Sequence, residues 1–168
     1  MRRQKLIILS GSPCVGKSTA GDILFRSYEN SAYLDGDWCW CVNPFDLDDP
    51  RLREGDRAMS AVLSNYLRLD FEYVVFCSVV AMYEKIREGI LEDITEEGYR
   101  VIGFTLTCSE ETLRERHRKR GDKNECSMEW LRLPPYPGDH VIYTDGKTPV
   151  QAAGEMKEII DGYDRNRA

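Results

Sequence analysis

The chain has 168 residues, with 29 acidic and 23 basic side chains, a net charge of −6 and 42% hydrophobic residues. That suffices for one hydrophobic core, read here as a single domain over residues 1–168, and excludes wholesale disorder. No apolar run approaches the ~20 residues of a membrane span, and the acidic balance argues against a nucleic-acid partner.

The predicted elements alternate. The basic start "MRRQK" precedes only four apolar residues, so it reads as the lead into a strand and not as a signal peptide. "KLIIL", residues 5–9, is that first strand. Ala20, Ile23, Leu24 and Tyr28 recur at helical spacing across residues 18–28. "SAYLD", ending at Asp35, reads as a second strand. Met59, Val62, Leu63, Tyr66 and Leu67 share one face of a second helix. "EYVVFCSVV", residues 72–80, is rich in β-branched and aromatic side chains and predicts a buried third strand. Ile86, Ile90, Leu91 and Ile94 mark a third helix, stopped by Gly98. "RVIGFTLT", residues 100–107, predicts a fourth strand, with Thr107 and Glu110 as a capping pair for the helix after it. "HVIYT", residues 140–144, predicts a fifth. Thr148, Pro149 and Gln151 then supply an N-cap, a proline at N1 and a glutamine at N3.

Strands alternating with helices require crossover connections. They predict an α/β fold, a three-layer α/β/α sandwich around a five-stranded parallel sheet. Ligands in such folds sit beyond the carboxyl ends of the strands.

The six cysteines, Cys14, Cys39, Cys41, Cys77, Cys108 and Cys126, form no CxxC pair. They read as reduced thiols of a cytoplasmic protein. Cys39-x-Cys41 is half of a metal-site spacing without a second half. His117 and His140 are assigned no catalytic part.

Behind the first strand stands "GSPCVGKST", Gly11, Ser12, Pro13, Cys14, Val15, Gly16, Lys17, Ser18 and Thr19. It satisfies G-x-x-x-x-G-K-[ST], the Walker A loop of a P-loop NTPase. Its glycines let backbone N–H groups converge on phosphate oxygens. The helix that follows adds its positive end. Lys17 is expected to reach the β- and γ-phosphates, and Ser18 to ligate Mg²⁺. The third strand ends without a Walker B carboxylate, and no Asn-Lys-x-Asp motif for guanine is present. The well-placed carboxylates for the metal are Asp35 and Asp37.

A P-loop followed by Asp-x-Asp after the second strand resembles the small-molecule kinases of the nucleoside-monophosphate-kinase superfamily. Shikimate and gluconate kinases and antibiotic phosphotransferases are examples. "DGDWCWCVNP" is similar to the Asp-Gly-Asp stretch of the gluconokinase group, with Trp38 and Trp40 where histidine is common. "ETLRERHRKRGD", residues 111–122, resembles the helix that leads into a mobile lid, placed here at about residues 118–138. The resemblance implies that Arg116 stacks on adenine and Arg120 reaches the phosphates. "TDGKTPVQAA" resembles the loop that cups adenine, with Lys147, Thr148 and Pro149 on it. It further implies ATP and Mg²⁺ as cofactors. Asp35 would serve the metal. Asp37 would bind the acceptor hydroxyl and take its proton, with the reverse assignment of the two aspartates open.

The acceptor-binding segment falls at about residues 36–70. Arg51, Arg53 and Arg57 are candidates for a carboxylate or phosphate on the acceptor, with nearby acids competing for them. If the chain is extended at Trp38 and Trp40, they face opposite ways and at most one lines the pocket; Trp38 is the candidate. The sequence thus reads as an ATP-dependent phosphotransferase, monomer or dimer, acting on a hydroxyl of a small molecule. A nucleoside or nucleotide kinase is the nearest alternative. A nucleotide-binding switch or partner-regulated ATPase is the alternative of another class.

Overall fold

A computed structural model describes residues 4–46, 48–121 and 126–165, without the side chain of Arg53. Five strands make one parallel sheet: β1 (Lys5–Gly11), β2 (Ser31–Asp35), β3 (Tyr73–Cys77), β4 (Arg100–Thr107) and β5 (His140–Tyr143), in the order β2-β3-β1-β4-β5. The crossover helices are α1 (Lys17–Arg26), α2 (Pro50–Arg68), α3 (Glu84–Glu92) and α4 (Glu110–Arg120), and α5 (Pro149–Arg165) closes the chain.

Alternation within the strands divides the core in two. Ile7 and Leu9 of β1, Val75 of β3 and Phe104 and Leu106 of β4 pack with Leu24 of α1, Leu113 of α4 and Met156 and Ile160 of α5. Leu6, Ile8, Val74 and Phe76 face the other way, onto Met59, Leu63 and Leu67 of α2 and Ile90 of α3. Period-two side chains on one sheet therefore build two apolar layers, each covered by helices. The α/β/α sandwich is as the alternation predicts.

Three boundaries differ from expectation. β3 stops at Cys77, because its partner β1 leaves the ladder: Ser78 N–H donates the last bond to Leu9 O at 3.0 Å. Residues Val80–Met82 form a short 3-10 helix. The cap of α4 is Ser109, whose Oγ accepts from Thr112 N–H, and not Thr107, which ends β4. α2 begins at Pro50, ahead of its apolar face, because Asp49 accepts from Arg51 N–H and Pro50 fits the first turn. The predicted cap of α5 forms a reciprocal box: Thr148 N–H donates to Gln151 Oε1 at 2.8 Å and Gln151 N–H to Thr148 Oγ1 at 3.2 Å. No helix among the described residues is long and apolar enough to cross a membrane.

Candidate active site

β1 lies where crossovers depart to both sides of the sheet, the point at which open α/β sheets bind ligands. The loop from Gly11 to Gly16 stands there. Gly11 has φ +141°, and a Cβ on it would lie 2.3 Å from the carbonyl oxygen of Leu106 on β4. Only glycine lets the chain leave the sheet so close to its neighbour strand. Gly16, at φ +102°, caps α1, so the loop runs straight into the helix N-terminus. That combination presents backbone N–H groups and the positive helix end to one point.

The loop forms one wall of a cleft of about 520 Å³. Pro13 through Thr19 line it on one side, Asp35, Asp37 and Ser78 on another, and Arg116, Arg120, Thr144, Lys147, Thr148 and Pro149 on the third. Gly11 and Ser12, at the start of the loop, do not line this cleft. Lys17 Nζ donates to Ser12 O at 2.9 Å, so it curls over the loop. Burial lowers the Lys17 pKa, opposed by the charges of Asp37 and Asp35. Bound phosphates favour its charged form in the same way as those carboxylates.

The Asp-Gly-Asp sequence has a mechanical reading. Asp35 ends β2, is buried, and caps a 3-10 helix over Gly36–Trp40: its Oδ1 accepts from Asp37 N–H at 3.1 Å. Tyr33 Oη donates to its other oxygen at 3.3 Å. A Cβ on residue 36 would lie 2.9 Å from Ser78 Oγ, so glycine lets the turn sit on the end of β3. The first aspartate thus fixes the turn, and the turn aims the second into the cleft. Asp37 opens to the cleft, yet desolvation by its wall raises its pKa, and the Asp35 charge raises it further, against Lys17 and Arg120.

Arg116 braces two loops. Its Nη1 donates to Val15 O at 3.0 Å and to Thr144 Oγ1 at 2.8 Å, and its Nη2 donates to Thr144 O at 2.7 Å. It therefore ties the P-loop to the end of β5 while lining the cleft. Arg120 lies with Nη1 3.7 Å from Cys14 Sγ and close enough to Asp37 to act on its carboxylate. Lys147 pairs with Glu155. Ser18 and the two aspartates suit a Mg²⁺ ion, which takes one or two carboxylates together with substrate phosphates.

Several predicted acceptor residues are not brought to this cleft. Residues 36–40 are a 3-10 helix and not extended chain. Trp40 packs against α2, where a Cβ on Gly55 would meet its ring at 2.4 Å. Trp38 is 60% exposed, edge-on to Tyr33 at 5.7 Å, outside the cleft lining. Arg51 is turned back onto Asp49, which the helix cap fixes in place. Arg57 pairs with Glu54 and faces a separate groove shared with Ser64, Arg68 and Thr95. The side chain of Arg53 and residues 122–125 of the expected lid lie outside the described residues. Thr144 escaped the sequence reading as a site residue. Its place at the end of β5 was the available signal.

A parallel sheet of this order, with a Walker A loop at the end of its central strand, defines a P-loop NTPase with the fold of kinases of small molecules and nucleotides. A family model described as an AAA domain matches residues 7–129, and the chain belongs to that family of P-loop proteins. No curated protein sequence matches it. Among solved structures it is similar to the APS kinase of Mycobacterium tuberculosis, solved with AMPPNP and APS (TM-score 0.70, 16% identity, 96% of this chain and 99% of that one). It is similar also to a gluconokinase from Sinorhizobium meliloti (0.64, 14%, 98% and 98%) and to the thymidylate kinase of Candida albicans (0.59, 16%, 96% and 93%).

Proposed function

We propose that the protein is an ATP-dependent kinase that transfers the γ-phosphoryl group of Mg-ATP to a hydroxyl of a small polar molecule. The observation that carries this is the position of Asp37. A second carboxylate, with a raised pKa, shares one cleft with Lys17 and Arg120 and is aimed there by Asp35. A nucleotide switch has no need of it. The solved kinases that the chain resembles in fold support the same reading.

Phosphoryl transfer is chiefly positioning and charge neutralisation. The P-loop backbone would hold the donor phosphates, with Arg116, Thr148 and Pro149 at the base end. Ser18 and Asp35 would hold Mg²⁺, which when bound neutralises phosphate charge. Asp37 would orient the acceptor hydroxyl and accept its proton. Lys17 and Arg120 would stabilise the charge on the moving group.

The test is ADP release from Mg-ATP, alone and against sugars, sugar acids, nucleosides, nucleotides and hydroxylated antibiotics. A large acceptor-dependent rate over a low background is the expected result. Tight ATP binding with slow turnover, unmoved by every acceptor, would favour the switch.

A further inference from the structure

We propose a second ligand subsite beside the nucleotide cleft, taking a neutral ring or short aliphatic arm that bears one hydroxyl or carbonyl group. It is a cavity of about 210 Å³ between the carboxyl ends of β4 and β5 and the chain that crosses them from Trp130 to Pro135.

Its lining sets the chemistry. Met82, Leu106, Leu133 and Val141 give apolar walls, Trp130 an aromatic one, and Ser12, Thr107 and Tyr143 add hydroxyls. No charged side chain lines it among the described residues. The cation packed below, Arg87, is already bound by Asp139 and covered by the Tyr136 ring at 3.7 Å. An anionic group there would lose part of its hydration against apolar walls with no cation to balance it, which is costly. A phosphate or carboxylate is therefore disfavoured in this subsite.

Ser12 supplies the second observation. The residue borders the cavity and is 1% exposed, and its Oγ, enclosed at the cavity's edge, has no hydrogen-bond partner among the described residues. A buried hydroxyl left unmet is costly and uncommon. Thr105, next along the lining, is already engaged: its Oγ1 donates to Asp139 Oδ2 at 2.9 Å. The hydroxyl that remains to be met is on the P-loop itself, on the residue whose own carbonyl accepts from Lys17 Nζ.

The roof is anchored. Asp139 holds its far end through Arg87, and Trp130 sits edge-on to Tyr83 at 5.1 Å. Size fixes the occupant. An apolar cavity of roughly 150 Å³ holds benzene, whereas whole drug-sized ligands occupy about 300 Å³ or more. This one suits a single ring or arm. It shares the wall of Leu106 with the nucleotide cleft. On the kinase reading proposed above, that arm belongs to the acceptor, and only this last step rests on that reading.

The test is amide chemical-shift mapping of the full chain with phenol as the neutral probe and inorganic phosphate as the anionic one. Phenol is expected to give saturable shifts at Thr107, Leu133 and Val141, with Kd on the order of 1 mM. Phosphate is expected to move Gly16 and Lys17 and to leave those three still. Val141→Trp, which fills the cavity, should weaken phenol about tenfold or more while a fluorescent ATP analogue binds as before. If that variant does not fold, the wild-type map decides alone. Absence of saturable shifts at Thr107 and Val141, as in a groove holding only water, overturns the proposal. So does phosphate saturating them in place of phenol. Failure of every acceptor to stimulate ADP release would strike the kinase reading and leave this map untouched.

Discussion

Arg87 of α3 and Asp139, 52 residues further on, meet in two hydrogen bonds of 2.9 and 2.8 Å, with side chains only 3% and 1% exposed. The pair joins a helix on one face of the sheet to the segment that enters β5. Gly103 makes room for it: a Cβ there would lie 1.7 Å from Asp139 Oδ1 and 2.3 Å from Arg87 Nη2. Removing one partner leaves a buried charge uncompensated, so Arg87→Met should cost about 3–5 kcal/mol. The double variant Arg87→Met, Asp139→Leu should recover most of that. Urea unfolding of the three proteins measures both. Gly103→Ala should behave like the single variant.

The P-loop should tolerate no side chain at its first glycine. Gly11→Ala places a methyl against the Leu106 carbonyl at a backbone angle that L-residues rarely adopt. A loss of roughly 2 kcal/mol or more is expected, together with loss of ATP-analogue binding, because the loop must move away from β4. Calorimetric titration with the analogue and thermal unfolding check the two effects separately.

Arg116 should matter to nucleotide affinity through geometry as well as charge. Its three donors reach Val15 O, Thr144 O and Thr144 Oγ1. Arg116→Ala should weaken ATP binding by about 10- to 100-fold, the loss of one to two charge-assisted bonds' worth of positioning. Arg116→Lys should restore little, since a point charge cannot bridge both loops. Equal affinities for wild type and the lysine variant would contradict this role.

Much of this was legible in the sequence, for identifiable reasons. Strands such as Lys5–Gly11 are apolar on both faces, and a parallel sheet covered on both sides demands that pattern. Gly11, Gly16 and Lys17 are read from spacing because the loop's chemistry is local. Asp35 and Asp37 are local too, joined by one turn. For Arg51 and Arg57 the sequence leaves acceptor and nearby acid both open, because an arginine's partner is set in three dimensions; each meets a carboxylate on or beside its own helix. The Arg87–Asp139 pair had no sequence signal, since nothing local links residues so far apart. Trp40 packs on α2, in keeping with one tryptophan at most facing the pocket, but Trp38 turns to solvent because the Asp35 cap winds residues 36–40 into a 3-10 helix where period-two reasoning does not apply.

Asp145 should show a measurable acid dependence. Its carboxylate accepts from Ser109 N–H at 3.0 Å, from Ser109 Oγ at 2.7 Å and from Thr112 Oγ1 at 2.6 Å, at the start of α4. The Thr112 and Ser109 side-chain bonds, then the Ser109 amide, hold its pKa down at about 2. The folded value lies below the unfolded one of roughly 3.9. The contribution is therefore complete above about pH 4 and fades as pH falls toward 2. Asp145 is exposed, so the effect is small. Asp145→Ala should lower stability at pH 7 and flatten this part of the stability–pH curve.

The pH dependence of turnover bears most directly on Asp37. A base works only when ionised, and desolvation by the cleft wall together with the Asp35 charge holds the Asp37 pKa above the ordinary carboxylate value. Acceptor-dependent turnover should therefore rise with pH through a midpoint above that value. Arg120 lowers the Asp37 pKa, so Arg120→Gln should move the midpoint upward as well as slow transfer. Asp37→Asn should cut transfer about 10²- to 10⁴-fold and leave ATP-analogue affinity nearly unchanged. Stability should run the other way. A carboxyl whose folded pKa is raised stabilises the fold at low pH and loses that contribution as pH rises through the folded value. At pH 7 wild-type Asp37 is held ionised against its surroundings, so Asp37→Asn should unfold at the same or a slightly higher temperature. A variant inactive in transfer, normal in nucleotide binding and no less stable would place the base at Asp37. Full transfer activity in that variant would remove Asp37 from the chemistry and leave the acceptor proton to another group.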